Sequence, residues 1–343
     1  MTDFLEELKR RAREAKPVRI VFPEPEDRRV LTACRILKDE RLAEPLLVGD
    51  PKRVKMVASQ EGIDLSDLPL FHPADDLQNR PSLSKELYRI RQHRGVTLLE
   101  AQRLILDPIY YGTMLLYTGE ADGIVAGAIH PTSWTFRPLL QILPKEPSVS
   151  YVSSCFVISL PNSLYGHNGL IIFADCGLIP NPDAQQLAEI AICSAETARS
   201  LFLIEPRVAL LSFSTKGSTY DPLTAKVVEA TRIANQKRPD LLIDGELQAD
   251  AALVPEVAAK KNATGPVAGR ANVLIFPDLN AGNIGYKLVQ RLANAEAWGP
   301  LVQGLNRAAS DLSRGCSIRD IVAVSTVVAI QARALEKKKR CWS

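Results

Sequence analysis

The chain has 343 residues, of which 46% are apolar and 24% are charged, so it is long enough for two globular domains. These values exclude a wholly disordered, collagen-like or disulfide-scaffold chain. The 42 basic and 39 acidic residues leave a net charge of +3, which gives no reason to expect binding to nucleic acid or to a membrane surface.

Short β-branched runs alternate along the chain with longer amphipathic stretches. The predicted strands are 18–22, 45–48, 123–126, 149–160, 170–174, 207–212, 241–243, 272–276 and 301–303. The predicted helices are 4–15, 28–39, 51–60, 99–106, 184–200, 223–236, 251–260, 282–293 and 317–336. This alternation predicts an α/β fold with parallel sheets covered by helices. The segment 149–174 differs, because a loop rich in turn residues joins its two strands and predicts an antiparallel hairpin.

The spacing of the cysteines and histidines and the length of the apolar segments exclude further classes of protein. The six cysteines are dispersed without a C-x-x-C pair, which favours free thiols in a reducing compartment. The four histidines lie far apart, so we predict no metal site. The N-terminus lacks a signal-peptide core, and the longest apolar stretch, 321–330, is too short to span a bilayer. We therefore expect a cytoplasmic protein.

Two of the predicted strand-to-helix turns, 129–138 and 211–218, suit an anion, because open parallel sheets bind ligands beyond the carboxyl ends of their strands. In the turn 129–138, Arg137 can hold a phosphate group through its planar guanidinium. The alternative there is a Thr-capped helix with Arg137 in a surface ion pair. The turn 211–218 carries Ser214 in a hydroxyl-rich loop without Walker A spacing.

Two later turns also carry polar side chains. The turn 276–287 places Asn283, Tyr286 and Lys287 at one helix start, without a dinucleotide-binding fingerprint. In the turn 311–320, Ser313 and Arg314 come just before the last predicted helix, where an anion is favoured. Ser317 and Asp320 fit the Ser-x-x-Asp capping box that opens this helix. Cys316 has no histidine nearby in the sequence, and we expect a packed thiol there.

A series of longer motifs follows one order along the chain. It comprises Ala121-Asp122-Gly123, Arg137-Pro138, Phe173-Ala174-Asp175-Cys176, Ser194-Ala195-Glu196-Thr197-Ala198, Glu205-Pro206-Arg207-Val208-Ala209, Ile243-Asp244-Gly245-Glu246, Phe276-Pro277-Asp278-Leu279-Asn280, Gly282-Asn283-Ile284-Gly285-Tyr286-Lys287 and Asp311-Leu312-Ser313-Arg314-Gly315-Cys316-Ser317. In this order the motifs resemble the phosphate acetyltransferase (phosphotransacetylase) family, in its short form without extra N-terminal domains. The resemblance runs from about residue 18 to about residue 331. It departs at 130–135, which has His-Pro-Thr-Ser-Trp-Thr where the family usually has His-Ser-Thr-Ala-Asp-Thr.

The resemblance implies the reversible reaction acetyl-CoA + phosphate ⇌ CoA + acetyl phosphate, by direct transfer in a ternary complex. It also implies two α/β domains with an interdomain cleft, similar to the isocitrate/isopropylmalate dehydrogenases. The first domain is expected to be discontinuous, 1–148 and 302–343, and the second to cover 149–301. Family members are commonly homodimers.

The resemblance also assigns roles to single residues. Ser313, Arg314 and Asp320 match catalytic positions, with Asp320 as the base that takes the proton of the CoA thiol. Arg137 and Arg91 match substrate-binding arginines. The other residues predicted to contact substrate are Thr132, Ser214, Asn283, Tyr286 and Lys287.

CoA, acetyl phosphate and phosphate are therefore the expected partners, with no tightly bound cofactor, metal, nucleic acid or membrane. Two alternatives stay open from the sequence: a phosphate butyryltransferase, and a non-catalytic domain that senses CoA or acetyl phosphate. A dehydrogenase on the related fold is disfavoured, since we identify no metal-binding carboxylate cluster. The resemblance leaves open a location inside a bacterial microcompartment.

Overall fold

The structure is a computed structural model that describes residues 4–14, 16–161 and 164–342, with side chains up to residue 338. The chain divides into two compact units. Unit 1 is Met1–Pro144 with Leu305–Ser343, and unit 2 is Lys145–Gly304. The domain limits predicted from the sequence differ from these limits by a few residues.

The strands and helices alternate along the chain. The strands are β1 (Arg19–Phe22), β2 (Glu44–Val48), β3 (Leu70–Phe71), β4 (Gly123–Ala126), β5 (Ser153–Ser159), β6 (Leu170–Ala174), β7 (Arg207–Leu211), β8 (Leu242–Leu247), β9 (Val273–Ile275), β10 (Glu296–Gln303) and β11 (Ala308–Asp311). The helices are α1 (Phe4–Arg13), α2 (Arg28–Asp39), α3 (Pro51–Glu61), α4 (Arg80–Arg91), α5 (Leu98–Leu104), α6 (Pro108–Thr118), α7 (Thr132–Ile142), α8 (Ala184–Phe202), α9 (Pro222–Lys237), α10 (Ala249–Leu253), α11 (Pro255–Lys260), α12 (Leu279–Leu292) and α13 (Ile318–Trp342). The predicted α/β class is confirmed.

The strands of unit 1 lie in the order β3-β2-β1-β4-β11, and each neighbouring pair is parallel. Helix α6 packs on β1, β2 and β4, and α13 packs on β4 and β11. Gly112 allows the close approach of α6, because a Cβ at this position would stand 2.6 Å from Cγ1 of Val21. Helix α2 begins at its N-cap Asp27 and buries an apolar stripe that includes Leu31, Cys34 and Leu37.

The strands of unit 2 lie in the order β10-β5-β6-β9-β7-β8. The predicted antiparallel hairpin is confirmed, since β5 pairs antiparallel with β6. The β10 strand also runs antiparallel to β5, and the remaining pairs are parallel. Apolar side chains of these strands, including Phe156, Ile158, Phe173 and Leu274, form the buried core. Helix α8 opens with a capping box of Asp183 and Gln186.

Several sequence predictions were wrong in detail. The predicted helix 251–260 is two helices, because Pro255 cannot continue the hydrogen bonding of the preceding turn and instead begins α11. The predicted strand 149–160 starts only at Ser153. Strands β3 and β11 and helices α4, α6 and α7 were not among the predicted elements. Among the described residues, no helix is both long and apolar enough to cross a membrane.

Candidate active site

Two of the predicted anion-binding turns meet at one edge of the unit 1 sheet. Strands β1, β4 and β11 are parallel neighbours, so their carboxyl ends point to the same edge. The segments 23–27, 127–131 and 312–317 leave these strands there. The turn with Ser313 and Arg314 therefore lies beside the loop that leads into α7.

The carboxylate of Glu24 holds the loop between β4 and α7. Its side chain is 1% exposed. Four consecutive backbone N–H groups, those of residues 127–130, donate to its two oxygens at 2.7–3.1 Å. The ring Nδ1 of His130 lies 2.7 Å from Oε1. Such hydrogen bonds satisfy a buried negative charge and fix the path of the loop through main-chain atoms.

Helix α7 starts at this loop without a side-chain cap. Its N-cap residue is Pro131, which makes no capping hydrogen bond, and Thr132 is the first helical residue. The alternative of a Thr-capped helix was therefore wrong. An uncapped helix start presents free N–H groups and the positive end of the helix dipole, and this is where phosphate groups bind.

Arg29 ties the two turns together through backbone carbonyl groups. Its Nη1 donates to the carbonyl oxygens of Arg314 at 2.8 Å and Cys316 at 2.9 Å. Its Nη2 donates to the carbonyl oxygen of Ala128 at 2.9 Å and pairs with Asp27 at 2.7 Å. One guanidinium thus fixes the turn of Arg314 relative to the loop before α7.

The capping box at the start of α13 is confirmed. Oδ2 of Asp320 accepts the backbone N–H and the hydroxyl of Ser317, each at 2.8 Å. The N–H of Asp320 donates to the Ser317 hydroxyl at 3.1 Å. The Asp320 side chain is held in one orientation at the end of the turn that carries Ser313 and Arg314.

The arginines predicted to bind substrate lie near one another. Both Arg91 and Arg137 act on the pKa of Tyr110, which burial raises and these two cations lower. Nη1 of Arg91 donates to the carbonyl of Gln141 at 3.3 Å, and the Tyr110 hydroxyl donates to Oε1 of the same residue at 2.8 Å. Within the described residues Arg137 and Arg314 are exposed and form no ion pair, contrary to the surface ion pair considered for Arg137.

Asp311 is the last residue of β11 and is 1% exposed. Neither of its carboxyl oxygens has a hydrogen-bond partner in the described part of the chain. Burial raises its pKa to about 7, while the facing hydroxyls of Thr132 and Thr135 act in the opposite direction. Gly127 lies directly against it, since a Cβ there would stand 2.0 Å from Oδ1 of Asp311.

Cys316 is a packed thiol, as expected. It is 8% exposed, and burial raises the pKa of its thiol to about 11, so the thiolate is scarce at neutral pH. All five cysteines with described side chains are free. The side chain of the sixth, Cys341, lies outside the described residues.

In unit 2, the loop of Ser214 is held from inside by a second buried carboxylate. Ser214 is fully buried, and its hydroxyl donates to Oε1 of Glu246 at 3.0 Å. The N–H of Gly217 donates to the same oxygen at 2.7 Å. The Ser214 hydroxyl thus takes part in the internal bonding of its own loop, and its contact with substrate stays a prediction.

The start of α12 brings together the other predicted residues of unit 2. Nδ2 of Asn283 donates to the carbonyl of Cys176 at 3.1 Å. Tyr286 is buried and stacks on Phe156 with 4.0 Å between ring centroids. Lys287 is exposed, and its ammonium lies 5.0 Å from the Tyr286 ring. Lys287 is thus the member of this group best placed to meet a ligand.

The sequence reasoning missed Glu24, Arg29 and Asp311. Glu24 lies two residues after β1, and Asp311 is the last residue of β11; a polar residue at the carboxyl end of a parallel strand is the signal that could have found them. In the described part of the chain, no three or more His, Cys, Asp or Glu side chains are arranged to hold a metal ion.

Comparisons with known proteins agree on one family. The model of the phosphate acetyl/butaryl transferase family matches residues 3–330. The chain is 49% identical to a phosphate acetyltransferase of Acetivibrio thermocellus over 96% of this chain and 98% of that protein. Among solved structures, a phosphotransacetylase from Streptococcus pyogenes has a TM-score of 0.88 at 43% identity, covering 96% of this chain and 98% of the other. The EutD phosphotransacetylase from Staphylococcus aureus has a TM-score of 0.85 at 44% identity with the same coverage.

Proposed function

Because the chain belongs to the phosphate acetyl/butaryl transferase family, we propose that it transfers acetyl groups between CoA and phosphate, with Ser313, Arg314 and Asp320 as its catalytic residues. The reaction is acetyl-CoA + phosphate ⇌ CoA + acetyl phosphate. One observation carries the assignment: Arg29 joins the turn of Arg314 to the loop before the uncapped start of α7. This arrangement brings the turn that carries Arg314 close to the loop that leads into α7, and a guanidinium group and a helix N-terminus both attract a phosphoryl group.

The phosphoryl group is bound by the N-terminus of α7 together with Arg137 and Arg314. Both guanidinium groups are exposed and make no ion pair among the described residues, so they are available to an anion. Thr132 adds a hydroxyl at the first position of the helix. Arg91 adds a further positive charge near Tyr110, beside Arg137.

The CoA thiol needs a base, since a thiol of pKa about 8.5 is mostly protonated at neutral pH. Asp320 supplies the carboxylate. The two hydrogen bonds from Ser317 both go to Oδ2, which leaves Oδ1 to accept the thiol proton. The thiolate then attacks the acetyl carbon directly, and the Ser313 hydroxyl hydrogen-bonds the sulfur or the carbonyl oxygen. No acyl-enzyme is required, which agrees with the high pKa of Cys316.

Acetyl is favoured over butyryl as the transferred group. The family description covers both acyl groups, whereas relatives at 44–49% identity over most of the chain are named phosphate acetyltransferases. A purely sensing domain is disfavoured because Ser313, Arg314 and Asp320 are all present and ordered around one turn. Contacts of Ser214, Asn283, Tyr286 and Lys287 with CoA are part of the proposal, as are a cleft between two domains and a cytoplasmic location.

The test separates the base from the helix cap. Asp320→Asn keeps the shape of the side chain but cannot accept a proton, so turnover should fall about 10²–10⁴-fold with much smaller changes in KM. Raising the pH should narrow the difference in turnover between this variant and the wild type, because more CoA is then thiolate without the base. Initial rates of acetyl-CoA formation from acetyl phosphate and CoA measure both effects.

Ser317→Ala is the matched control. It removes two hydrogen bonds of the capping box and leaves the carboxylate, so it should lower the free energy of unfolding by about 1 kcal/mol and preserve most of the turnover. A folded Asp320→Asn protein with near-normal turnover at neutral pH would assign Asp320 to the cap alone.

We also propose a homodimer. Helix α12 exposes Ile284, Leu288 and Leu292, which are 57%, 52% and 80% exposed and repeat every four residues along one side of the helix. Such an apolar stripe is typical of a surface that packs against another chain.

A further inference from the structure

The phosphate that leaves in this reaction needs a proton. When the CoA sulfur bonds to the acetyl carbon, the bond between that carbon and the bridging oxygen breaks, and the electron pair stays on the phosphate. Without a proton the product would be the strongly basic phosphate trianion. Asp320 takes a proton from the thiol, but no residue assigned above gives one to the phosphate.

We propose that Asp311 holds this proton and passes it to the leaving phosphate through the hydroxyl of Thr132. The inference rests on the proposed function, since it uses the phosphate position at the start of α7. Asp311 lies two residues before Ser313 at the end of β11, is 1% exposed, and has both carboxyl oxygens without a partner among the described residues. A carboxyl group buried in this way is stable as the neutral acid, which is a proton donor.

The two buried carboxyl groups at this edge have opposite surroundings. Glu24 accepts four backbone N–H groups at 2.7–3.1 Å. Asp311 faces one backbone N–H, that of Leu312, and the hydroxyls of Thr132 and Thr135; its burial outweighs these groups, and the nearby charge of Glu24 adds to burial in favouring the protonated form.

Thr132 is the only one of the two facing hydroxyls that can reach a substrate. Thr132 is exposed at the first position of α7, whereas Thr135 is fully buried, and its hydroxyl has no partner among the described residues. The hydroxyl of Thr132 faces Asp311 without completing a hydrogen bond to it. Catalytic hydrogen bonds commonly tighten only when the substrate is bound.

The step balances in atoms and charge. Asp311 gives its proton to the Thr132 oxygen while the Thr132 hydroxyl proton moves to the phosphate, which leaves as the hydrogen phosphate dianion. Asp311 becomes a carboxylate, Asp320 becomes a carboxylic acid, and exchange of one proton with solvent by each restores the enzyme. In the opposite direction, the attacking phosphate returns its proton along the same route.

Charged groups lie on the segments adjoining the end of β11, and any pH dependence has to take them into account. Glu24 follows β1, His130 lies in the loop after β4, and Arg137 lies on α7. Arg319 and Asp320 lie in the first turn of α13. Glu24 is the charged residue among the causes that shift the pKa of Asp311.

The test is the pH dependence of kcat for acetyl-CoA formation in the wild type and in Asp311→Asn. Wild-type kcat should fall as the pH rises through about 7, where Asp311 loses its proton. In Asp311→Asn, kcat should be roughly 100-fold lower, and the decrease of kcat above about pH 7, the alkaline limb of the pH profile, should be absent. Ionisation of the CoA thiol near pH 8.5 does not imitate the limb, because it increases the rate.

Two threonine variants show whether the proton route passes through Thr132. Thr132→Val should lower kcat as Asp311→Asn does, and the double variant should be no slower than Asp311→Asn alone. Thr135→Val is the matched control. It should keep kcat and the limb, with the limb moved to higher pH, because a hydroxyl that lowers the Asp311 pKa is lost.

Several outcomes would overturn the inference while the proposed function stands. They are a limb that persists in a folded Asp311→Asn protein, an unchanged kcat in that variant, or additive effects of Thr132→Val and Asp311→Asn. A wild-type protein that forms no acetyl-CoA from acetyl phosphate and CoA would instead overturn the proposed function. Infrared difference spectra give a readout besides activity: a carboxylic acid band should disappear as the pH rises through about 7 in the wild type and be absent in Asp311→Asn.

Discussion

A buried acid such as Asp311 affects folding as well as chemistry. Its pKa is about 7 in the folded protein and about 3.9 in an unfolded chain, so the folded state binds the proton more tightly. The contribution of this group to stability is therefore fully present below about pH 4 and is lost as the pH rises through about 7. At alkaline pH the ionised carboxylate destabilises the fold.

Replacing Asp311 by Asn should remove this pH dependence. The free energy of unfolding of Asp311→Asn, relative to the wild type, should rise by on the order of 4 kcal/mol between about pH 4 and about pH 7. Urea titrations of both proteins across this range measure the difference. Curves that stay parallel would show that the carboxyl of Asp311 titrates normally in the folded protein.

Residue roles differed in how far the sequence could predict them. The capping box of Ser317 and Asp320 could be predicted from the sequence, because both partners lie within one helical turn and their spacing specifies the contact. The roles of Glu24 and Arg29 could not be predicted from the sequence, because their partners are distant along the chain. Glu24 binds the backbone N–H of Gly127, 103 positions away, and Arg29 binds the carbonyl of Arg314, 285 positions away. Backbone partners leave no side-chain pattern in a sequence.

At the scale of elements, the loop 127–131 and helix α7 depend on the charge of Glu24. Glu24→Gln offers one acceptor oxygen in place of two and directs an NH₂ group at backbone N–H donors. We expect the free energy of unfolding to fall by about 2–3 kcal/mol and the KM for acetyl phosphate to rise by about tenfold, because the start of α7 moves. Equilibrium unfolding and steady-state kinetics measure the two effects.

Glu26→Gln is the matched control for this prediction. Glu26 lies in the same segment, and among the described residues it accepts one backbone N–H, that of Asp50, at 3.0 Å. It should leave the KM for acetyl phosphate unchanged. Equal effects of the two substitutions on KM would remove the special role of Glu24.

The missed elements have physical reasons. Strand β11 has the sequence Ala-Ala-Ser-Asp, without β-branched or aromatic residues, and pairing with β4 and cover by α13 impose its conformation. Helix α6 is apolar on nearly every side, so it has no amphipathic periodicity to detect. Helix α7 contains Pro138, which argues against a helix when only the sequence is considered.

At the scale of the whole molecule, the predicted site residues divide between the units. Unit 1 holds Ser313, Arg314, Asp320, Arg137, Arg91 and Thr132, and unit 2 holds Ser214, Asn283, Tyr286 and Lys287. The alternation of strands and helices was enough to predict the α/β class and the hairpin of β5 and β6. It was not enough to order the strands, because the order depends on pairing between distant segments.

The proposed homodimer predicts a mass in solution of about twice 37.7 kDa. Leu288→Asp should give a monomer, since a charge in the centre of the apolar stripe of α12 would be buried without a partner. Size-exclusion chromatography with light scattering measures the mass. Leu223→Asp is the control, because Leu223 is 62% exposed on α9 and lies outside the stripe, and it should leave the dimer intact. A monomeric wild type, or a dimeric Leu288→Asp protein, would contradict the prediction.

The contacts of Glu24 and Arg29 with main-chain atoms bear on how this protein can diverge in evolution. Every residue type except proline supplies the N–H groups that Glu24 binds, and every residue type supplies the carbonyls that Arg29 binds. Exposed side chains in the segment 129–134 can therefore be substituted during evolution while the backbone keeps its conformation. These main-chain contacts explain how the segment 130–135 can differ from the sequence usual in its family while the loop keeps its conformation. A mutational library confined to positions 129, 133 and 134, whose side chains are exposed, should accordingly be rich in folded variants.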